Sequence, residues 1–398
     1  MRLPRVMNYK SKILRLNSLF LYFFLSQSLF LLIYFYQTPL ISKFINTDKA
    51  VWMHIMGVCW CTIGYFTARF PRLWHKDYTE NKRYFFSSRF YLFSYFLIIF
   101  GTIESMVQVF LFVSPMEYIS HIFSSYYYPE LRAAFHLSHD EGGLPGIIKM
   151  FAYAPLSIYL MSFGLLNFLH LDIADMQKLK RLNRMALLGT AIKVFFALDH
   201  LTIMAVLMAN IFIGIQKVDT KNIKFFLYLI IIFFIADFLS SKRLEGFGII
   251  DFTLLYLKLG LVNFQLMIDT CSGYTYGFST IFSPLTFIFK FFSLPLPHFE
   301  SSFQWEWTHF QYFTSYAFQD FGYFYFVLFY LIGFILYFID FNTLKRKNIY
   351  TISIYFVVLY GIISFLVVPA IQGMEFWLAL LLPVVLLNRF TMSSERKR

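Results

Sequence analysis

The sequence predicts an all-α protein that crosses a membrane about ten times, and three observations carry that expectation. Of 398 residues, 59% are hydrophobic and 22% aromatic while only 14% are charged, too few polar side chains to cover a water-facing surface. The apolar residues come in continuous runs close to the roughly 20 that a helix needs to cross about 30 Å of hydrocarbon, whereas a membrane barrel would show short alternating segments. Basic residues alternate in density from one connection to the next, as they do on the two sides of a bilayer. With 12 Pro and 18 Gly the chain is not of low complexity, and 3 Cys cannot staple a disulfide scaffold.

Taken in order, the candidate spans lie near 16–39, 50–68, 90–113, 147–169, 186–198, 201–215, 225–240, 321–340, 350–368 and 374–388. Residues 1–15 are basic, like the start of a signal peptide. The run that follows is long and lacks a small-residue cleavage pattern, so the first span is expected to be retained. Residues 186–215 make either one overlong helix or two short ones turning at Asp199-His200. Two short helices put 25 Lys and Arg on the cytoplasmic side against 7 outside; one helix would give 19 against 13. The hairpin is therefore preferred, with both termini cytoplasmic and two long outer connections at about 114–146 and 241–320. The net charge of +12 is then mostly topological, and with no soluble basic domain a nucleic-acid partner is excluded. No soluble domain and no internal repeat is visible, so the inverted-repeat signature of many transporters is missing.

Chemistry is expected in the two outer connections. The first holds Arg132, His136, His139, Asp140 and Glu141, and ends in Gly142-Gly143 and Pro145-Gly146. His136 and His139, with Asp140 or Glu141, have the types and spacing of a zinc site, but a wetted polar loop is the preferred reading, and no metal or cofactor is expected. Arg132 is the only Lys or Arg of that loop, suited to an anionic lipid diphosphate, the alternative being an interfacial Arg that snorkels. The second connection opens with Ser240-Ser241-Lys242-Arg243-Leu244-Glu245. It continues apolar but irregular through Tyr256, Asn263, Gln265, Asp269 and Pro295-Leu296-Pro297, a composition suited to helices lying in the interface. Residues 303–321 interleave Trp305, Trp307, Tyr312 and Tyr316 with Glu306, His309 and Gln311. Aromatic faces beside hydrogen-bonding groups suit sugar rings; an aromatic membrane belt is the plainer explanation.

The order of these pieces resembles the O-antigen or oligosaccharide repeat-unit polymerases, the Wzy family. The matching pieces are Tyr-Pro-Glu-Leu-Arg132, Gly-Gly-Leu-Pro-Gly before a span, the short hairpin, and Ser-Lys-Arg243-Leu-Glu. Tyr256-Leu-Lys-Leu-Gly260-Leu-Val-Asn263-Phe, Tyr276-Gly277-Phe-Ser-Thr280, Asp320-Phe-Gly322 and Gly333 follow, so the likeness spans about 90–340. It implies a polytopic fold like the GT-C-type glycosyltransferases without a soluble domain. It also implies undecaprenyl-pyrophosphate-linked glycans as substrates in a bacterial inner membrane, and a separate chain-length regulator as partner. By that resemblance the outer arginines neutralise the lipid diphosphate, Arg243 foremost with Arg132. Charge that builds on a leaving phosphate is what fixed guanidinium groups stabilise without a metal. Deprotonating the acceptor hydroxyl needs a base, for which Glu245, Asp140, Glu141, His200 and Asp320 are candidates; Trp307 and His309 are expected to bind substrate.

Two departures qualify the likeness. Many family members carry a Gly-Ser-Arg-like turn at the hairpin tip, where this chain has Leu198-Asp199-His200, and a histidine is not always charged. The Asn or Thr that precedes Asp-Phe-Gly in the family has only Thr308 as an approximate counterpart, and Asp320 is equally readable as the cap of a helix starting at Phe321. No DxD motif on the outer face, P-loop or GxSxG elbow is present, which removes support from nucleotide-sugar transferase, ATPase and serine-hydrolase readings. Three rivals remain. A membrane acyltransferase needs an intramembrane His with a polar partner, and His54 and His170 fall near span ends. A lipid-linked oligosaccharide flippase or other transporter needs charges along a membrane path, for which only Glu104, Lys149 and Lys193 come forward, partly explained by snorkelling. A purely structural membrane protein needs neither.

Overall fold

A computed structural model describes residues 18–35, 47–69, 83–111, 113–122, 151–197, 200–216, 249–271, 273–277, 280, 285, 289, 313–364 and 374–394. These are mostly helical. In chain order the helices are α1 (Leu19–Phe35), α2 (Asp48–Arg69), α3 (Ser88–Phe110), α4 (Pro115–Ile122), α5 (Ala154–Phe168), α6 (Ile173–Ala197) and α7 (His200–Gln216). Then follow α8 (Ile249–Thr270), α9 (Phe313–Phe321), α10 (Tyr325–Asp340), α11 (Ile349–Ser364) and α12 (Met374–Phe390). Four helical stretches are long and apolar enough to cross a membrane: Asp48–Arg69, Ser88–Phe110, Phe151–Phe168 and Phe313–Lys345. The expected span near 225–240 lies outside the described residues.

Which face each helix buries is the reverse of a soluble protein. On α3 the large apolar side chains Leu92, Phe96, Ile99 and Ile103 point outward, while Ser94, Glu104, Ser105 and Gln108 are buried. The outward set recurs every three to four residues, as do the buried positions Phe90, Ser94, Ile98, Gly101, Glu104 and Gln108, so the helix turns an apolar stripe outward and the other to its neighbours. α5 and α11 are buried on nearly all sides. Polar stitches tie α5 to α12, α6 and α7: Ser157 donates to the Ala379 carbonyl (3.0 Å), and Asn183 and Asn210 donate to the Tyr159 carbonyl and hydroxyl at 3.1 and 2.8 Å.

α2 and α10 pack side by side and parallel. Tyr325 donates to the Met53 carbonyl (2.6 Å), Gly57 faces Phe329, Gly333 faces Cys61, and Tyr65 reaches Tyr337, a constant offset along both helices. The approach is backbone to backbone: a Cβ on Gly333 would lie 1.9 Å from the Cys61 carbonyl oxygen, and one on Gly64 2.0 Å from that of Tyr330. Such small-residue contacts hold helices together where lipid removes the hydrophobic driving force between them.

The structure corrects the expected outline in three places. A short antiparallel ribbon is present, β1 (Arg83–Phe86) with β2 (Thr391–Ser394), so the described residues are not purely α. The helix expected to begin near 186 begins at Ile173, because its charged first turns continue the same helix beyond the apolar run that marked the span. The span expected from 321 is preceded by α9, and the chain folds back between the two. Phe313 and Phe329, 16 residues apart, have ring centroids within 5.7 Å, where a straight helix would separate them by about 24 Å. The reversal falls at Gly322, with φ +54°, a conformation glycine adopts freely; a Cβ there would also strike the Tyr274 ring at 2.6 Å.

The helix ends sort into two groups. The ribbon joins residues 83–86 to 391–394, Tyr91 donates to Asp175, Lys347 lies over the Phe168 ring, and Asp340 meets Leu19. The segments 83–89, 168–178, 340–349 and 390–394 thus share one end of the bundle, called the ribbon end here. The opposite end holds the starts of α2, α5 and α7 and the ends of α3 and α6.

Candidate functional site

At the opposite end, the sharpest polar joint is centred on Asp320. This residue is fully buried one position before the end of α9. A carboxylate at a helix C-terminus faces the negative end of the helix dipole, so it needs donors from elsewhere. The Thr275 hydroxyl donates to Oδ1 and the Thr280 hydroxyl to Oδ2. The backbone repeats the tie: Thr275 N–H donates to the Gln319 carbonyl (3.0 Å) and Tyr276 N–H to the Asp320 carbonyl (3.1 Å). Asp320 therefore does not cap a helix that starts at Phe321. With both oxygens engaged, it acts through the turn at 274–280.

The same end carries two further links. On α8, Gln265 accepts from the Ala50 N–H (3.0 Å) and donates to Asp269 (2.8 Å), which accepts from Lys49 at 2.9 Å. The Gln265 hydrogen bond, and the Lys49 ammonium after it, hold the Asp269 carboxyl below its ordinary value. His54, buried in the second turn of α2, meets the Thr314 hydroxyl on α9 through Nδ1 at 2.8 Å. His54 thus has the buried polar partner that its position near a span end gave no reason to expect; His170 is exposed. The first turns of α2, the last turn of α8, the reversal at Gly322 and the 273–280 turn are bound into one unit.

A second polar group lies between α3, α5, α6 and α7. Glu104 and Lys193 are 3% and 2% exposed, which corrects the snorkelling reading: neither side chain reaches the surface. Gln108 donates to Glu104, Lys193 donates to Thr202 (3.2 Å), and the Lys193 ammonium sits 3.0 Å from the Tyr153 ring centroid. Lys193 is four residues from the end of α6 and Glu104 six from the end of α3, about 6 and 9 Å below those ends. At the ribbon end, Asp340 accepts from Tyr355 (2.9 Å), Tyr65 (3.2 Å) and the Leu19 N–H (2.9 Å), anchoring the start of α1. Nothing in the sequence reading singled it out; the available signal was an acid closing an apolar run.

Of the residues expected to form the site, Asp320 is the one whose surroundings the structure describes. His200 opens α7, with its side chain outside the described set. Arg132, Asp140, Glu141, Arg243, Glu245, Trp307 and His309 lie outside the described residues, as do His136 and His139. Among the described residues no group of three His, Cys, Asp or Glu could hold a metal ion. Cys59, Cys61 and Cys271 are free thiols. No protein-family model, curated protein or solved structure matches this chain.

Proposed function

We propose that this chain polymerises undecaprenyl-pyrophosphate-linked oligosaccharide repeat units by metal-independent glycosyl transfer on the outer face of a bacterial inner membrane, with both termini cytoplasmic. The bond between the anomeric carbon of the growing glycan and its lipid diphosphate breaks. The new bond forms to a hydroxyl of the fresh unit, whose proton passes to a base, and undecaprenyl pyrophosphate leaves. Arg243 and Arg132 bind the departing diphosphate with His200, and the base is drawn from Glu245, Asp140, Glu141 and His200. Asp140, Glu141, Trp307 and His309 line the glycan path, and a chain-length regulator is the expected partner.

The observation that carries this reading is the Asp320 joint. Tyr276-Gly277-Phe-Ser-Thr280 and Asp320-Phe-Gly322, which entered separately among the pieces of the resemblance, are hydrogen-bonded to each other. The shared end of 83–89, 168–178, 340–349 and 390–394 supports the charge-derived topology. A transport reading, such as a flippase for the same lipid-linked intermediate, draws on the buried Glu104 and Lys193. Both sit toward the outer ends of their helices in this topology, which favours the polymerase.

The test is a surface-glycan gel from a deletion strain complemented with wild type, Arg243→Ala, Arg132→Ala or His200→Ala, with protein level checked. Deletion should leave one repeat unit per lipid, and Arg243→Ala should fail to restore the ladder. A normal ladder in the deletion strain sinks the polymerase reading and moves attention to transport.

A further inference from the structure

Tyr276 has an unusual backbone for an aromatic residue. Its φ is +50°, in the left-handed region that disfavours any side chain with a Cβ. Glycine would remove the strain, and the next position is a glycine with φ +96°. The conformation is enforced on both sides, by the Tyr276 N–H bond to the Asp320 carbonyl and by the Thr275 and Thr280 hydroxyls on the Asp320 carboxylate. The side chain so held is 67% exposed.

It does not stand alone. Tyr274, two residues earlier, packs edge-on against Phe318 (6.5 Å, 89°), and Tyr323 packs edge-on against the same ring (5.6 Å, 85°). Tyr323 is 68% exposed. A buried phenylalanine thus seats two tyrosines, and a strained turn presents a third. An interfacial aromatic that only contacts lipid needs no particular backbone, since any outward helix position serves. A rigid tyrosine with a fixed ring plane and a hydroxyl suits a pyranose, which offers a CH face for stacking and hydroxyls for hydrogen bonds.

We infer that Tyr276, with Tyr274 and Tyr323 of the same joint, is a carbohydrate-binding platform that receives a sugar ring of the glycan substrate. The inference rests on the glycan-polymerase reading and adds residues to it. Asp320 is the positioning residue that keeps the platform in place.

The test uses the full-length protein in lipid nanodiscs and the host's own surface oligosaccharide, released from its lipid by mild acid. Tyr276→Gly should unfold at the wild-type temperature or above it, because the backbone strain is gone, yet bind the oligosaccharide about tenfold more weakly, the size of one lost stacking contact. Tyr276→Phe, which keeps the stacking face and loses only the hydroxyl, should bind more weakly than wild type but more tightly than Tyr276→Gly. Wild-type affinity in Tyr276→Gly overturns the platform and leaves the polymerase reading intact. A wild-type protein that binds no oligosaccharide overturns both. In the Tyr276→Trp variant, the fluorescence added over wild type should respond to oligosaccharide; quenching by brominated lipid instead would put this ring in the bilayer and end the proposal.

Discussion

Asp320 shows how one residue can be recognised in a sequence while its work is not. It stood out as part of Asp-Phe-Gly, but the threonines that engage it lie 40 and 45 positions earlier, a separation no periodicity reports. Removing the carboxylate takes its acceptor from two buried hydroxyls, at a cost of about 1–3 kcal/mol for each that finds no other. Asp320→Ala should therefore destabilise the protein clearly more than Asp320→Asn, whose amide oxygen still accepts one of them. Unfolding temperatures of the two variants in the same detergent decide it, and equal values would mean that the joint carries little. Asp269 gives a weaker, pH-dependent case. Its carboxyl is held below the ordinary value, so its contribution is present above about pH 4 and is lost as pH falls through the lower folded value. The pair with Lys49 is largely exposed, so the effect should be small and shrink in salt. A wild-type advantage over Asp269→Asn in thermal unfolding should be seen at neutral pH and shrink steadily as the pH is lowered beneath the ordinary carboxylate range; an advantage that does not change with pH would contradict the assignment.

At the scale of elements, the apolar helices were legible because a helix whose outer face is apolar leaves a continuous apolar run in the sequence. Leu92, Phe96, Ile99 and Ile103 make the run around α3 visible for the same reason they are exposed in the structure. The charged start of α6 was not legible because its exposed charges fall outside any apolar window, and the polar α9 was not because such a window passes over a helix that buries Thr314, Ser315, Gln319 and Asp320 against its neighbours. The parallel pairing of α2 with α10 was equally out of reach, since it depends on glycines whose partners are 266 and 272 residues away. It makes a graded prediction. Gly333→Ala and Gly64→Ala push a methyl into backbone carbonyls and should each cost about 1–3 kcal/mol or more, because helices must part to admit it. Gly57→Ala meets only the Phe329 ring at 3.3 Å, which can tilt, and should be milder. Thermal unfolding of the three variants tests the ranking, and a Gly57→Ala as damaging as Gly333→Ala would refute the parallel contact.

For the whole molecule, the organising fact is that chain segments far apart in sequence share an end, and the charge count and the packing reach this by unrelated routes. The count compared basic residues in loops, and favoured a break within 186–215 because one uninterrupted helix would turn everything after it over. The packing pairs 83–86 with 391–394 and runs α2 parallel to α10, and an overturned second half would make both impossible. α6 is described as far as Ala197 and α7 from His200, and the two residues between lie outside the described set. Single cysteines in a background lacking Cys59, Cys61 and Cys271 can test the arrangement with a membrane-impermeant maleimide. Lys178→Cys and Ser393→Cys should label from the same side of the membrane, and Lys49→Cys from the other. In intact spheroplasts only the Lys49→Cys variant should react, which would put the Asp320 joint and the tyrosine turn on the outer face, where the proposed transfer requires them. Labelling of Lys178→Cys and Ser393→Cys from opposite faces would dismantle the shared end, and with it the topology. If the pair instead labels together from outside, the bundle stands but is inverted, and a polymerase acting at the outer face loses its site.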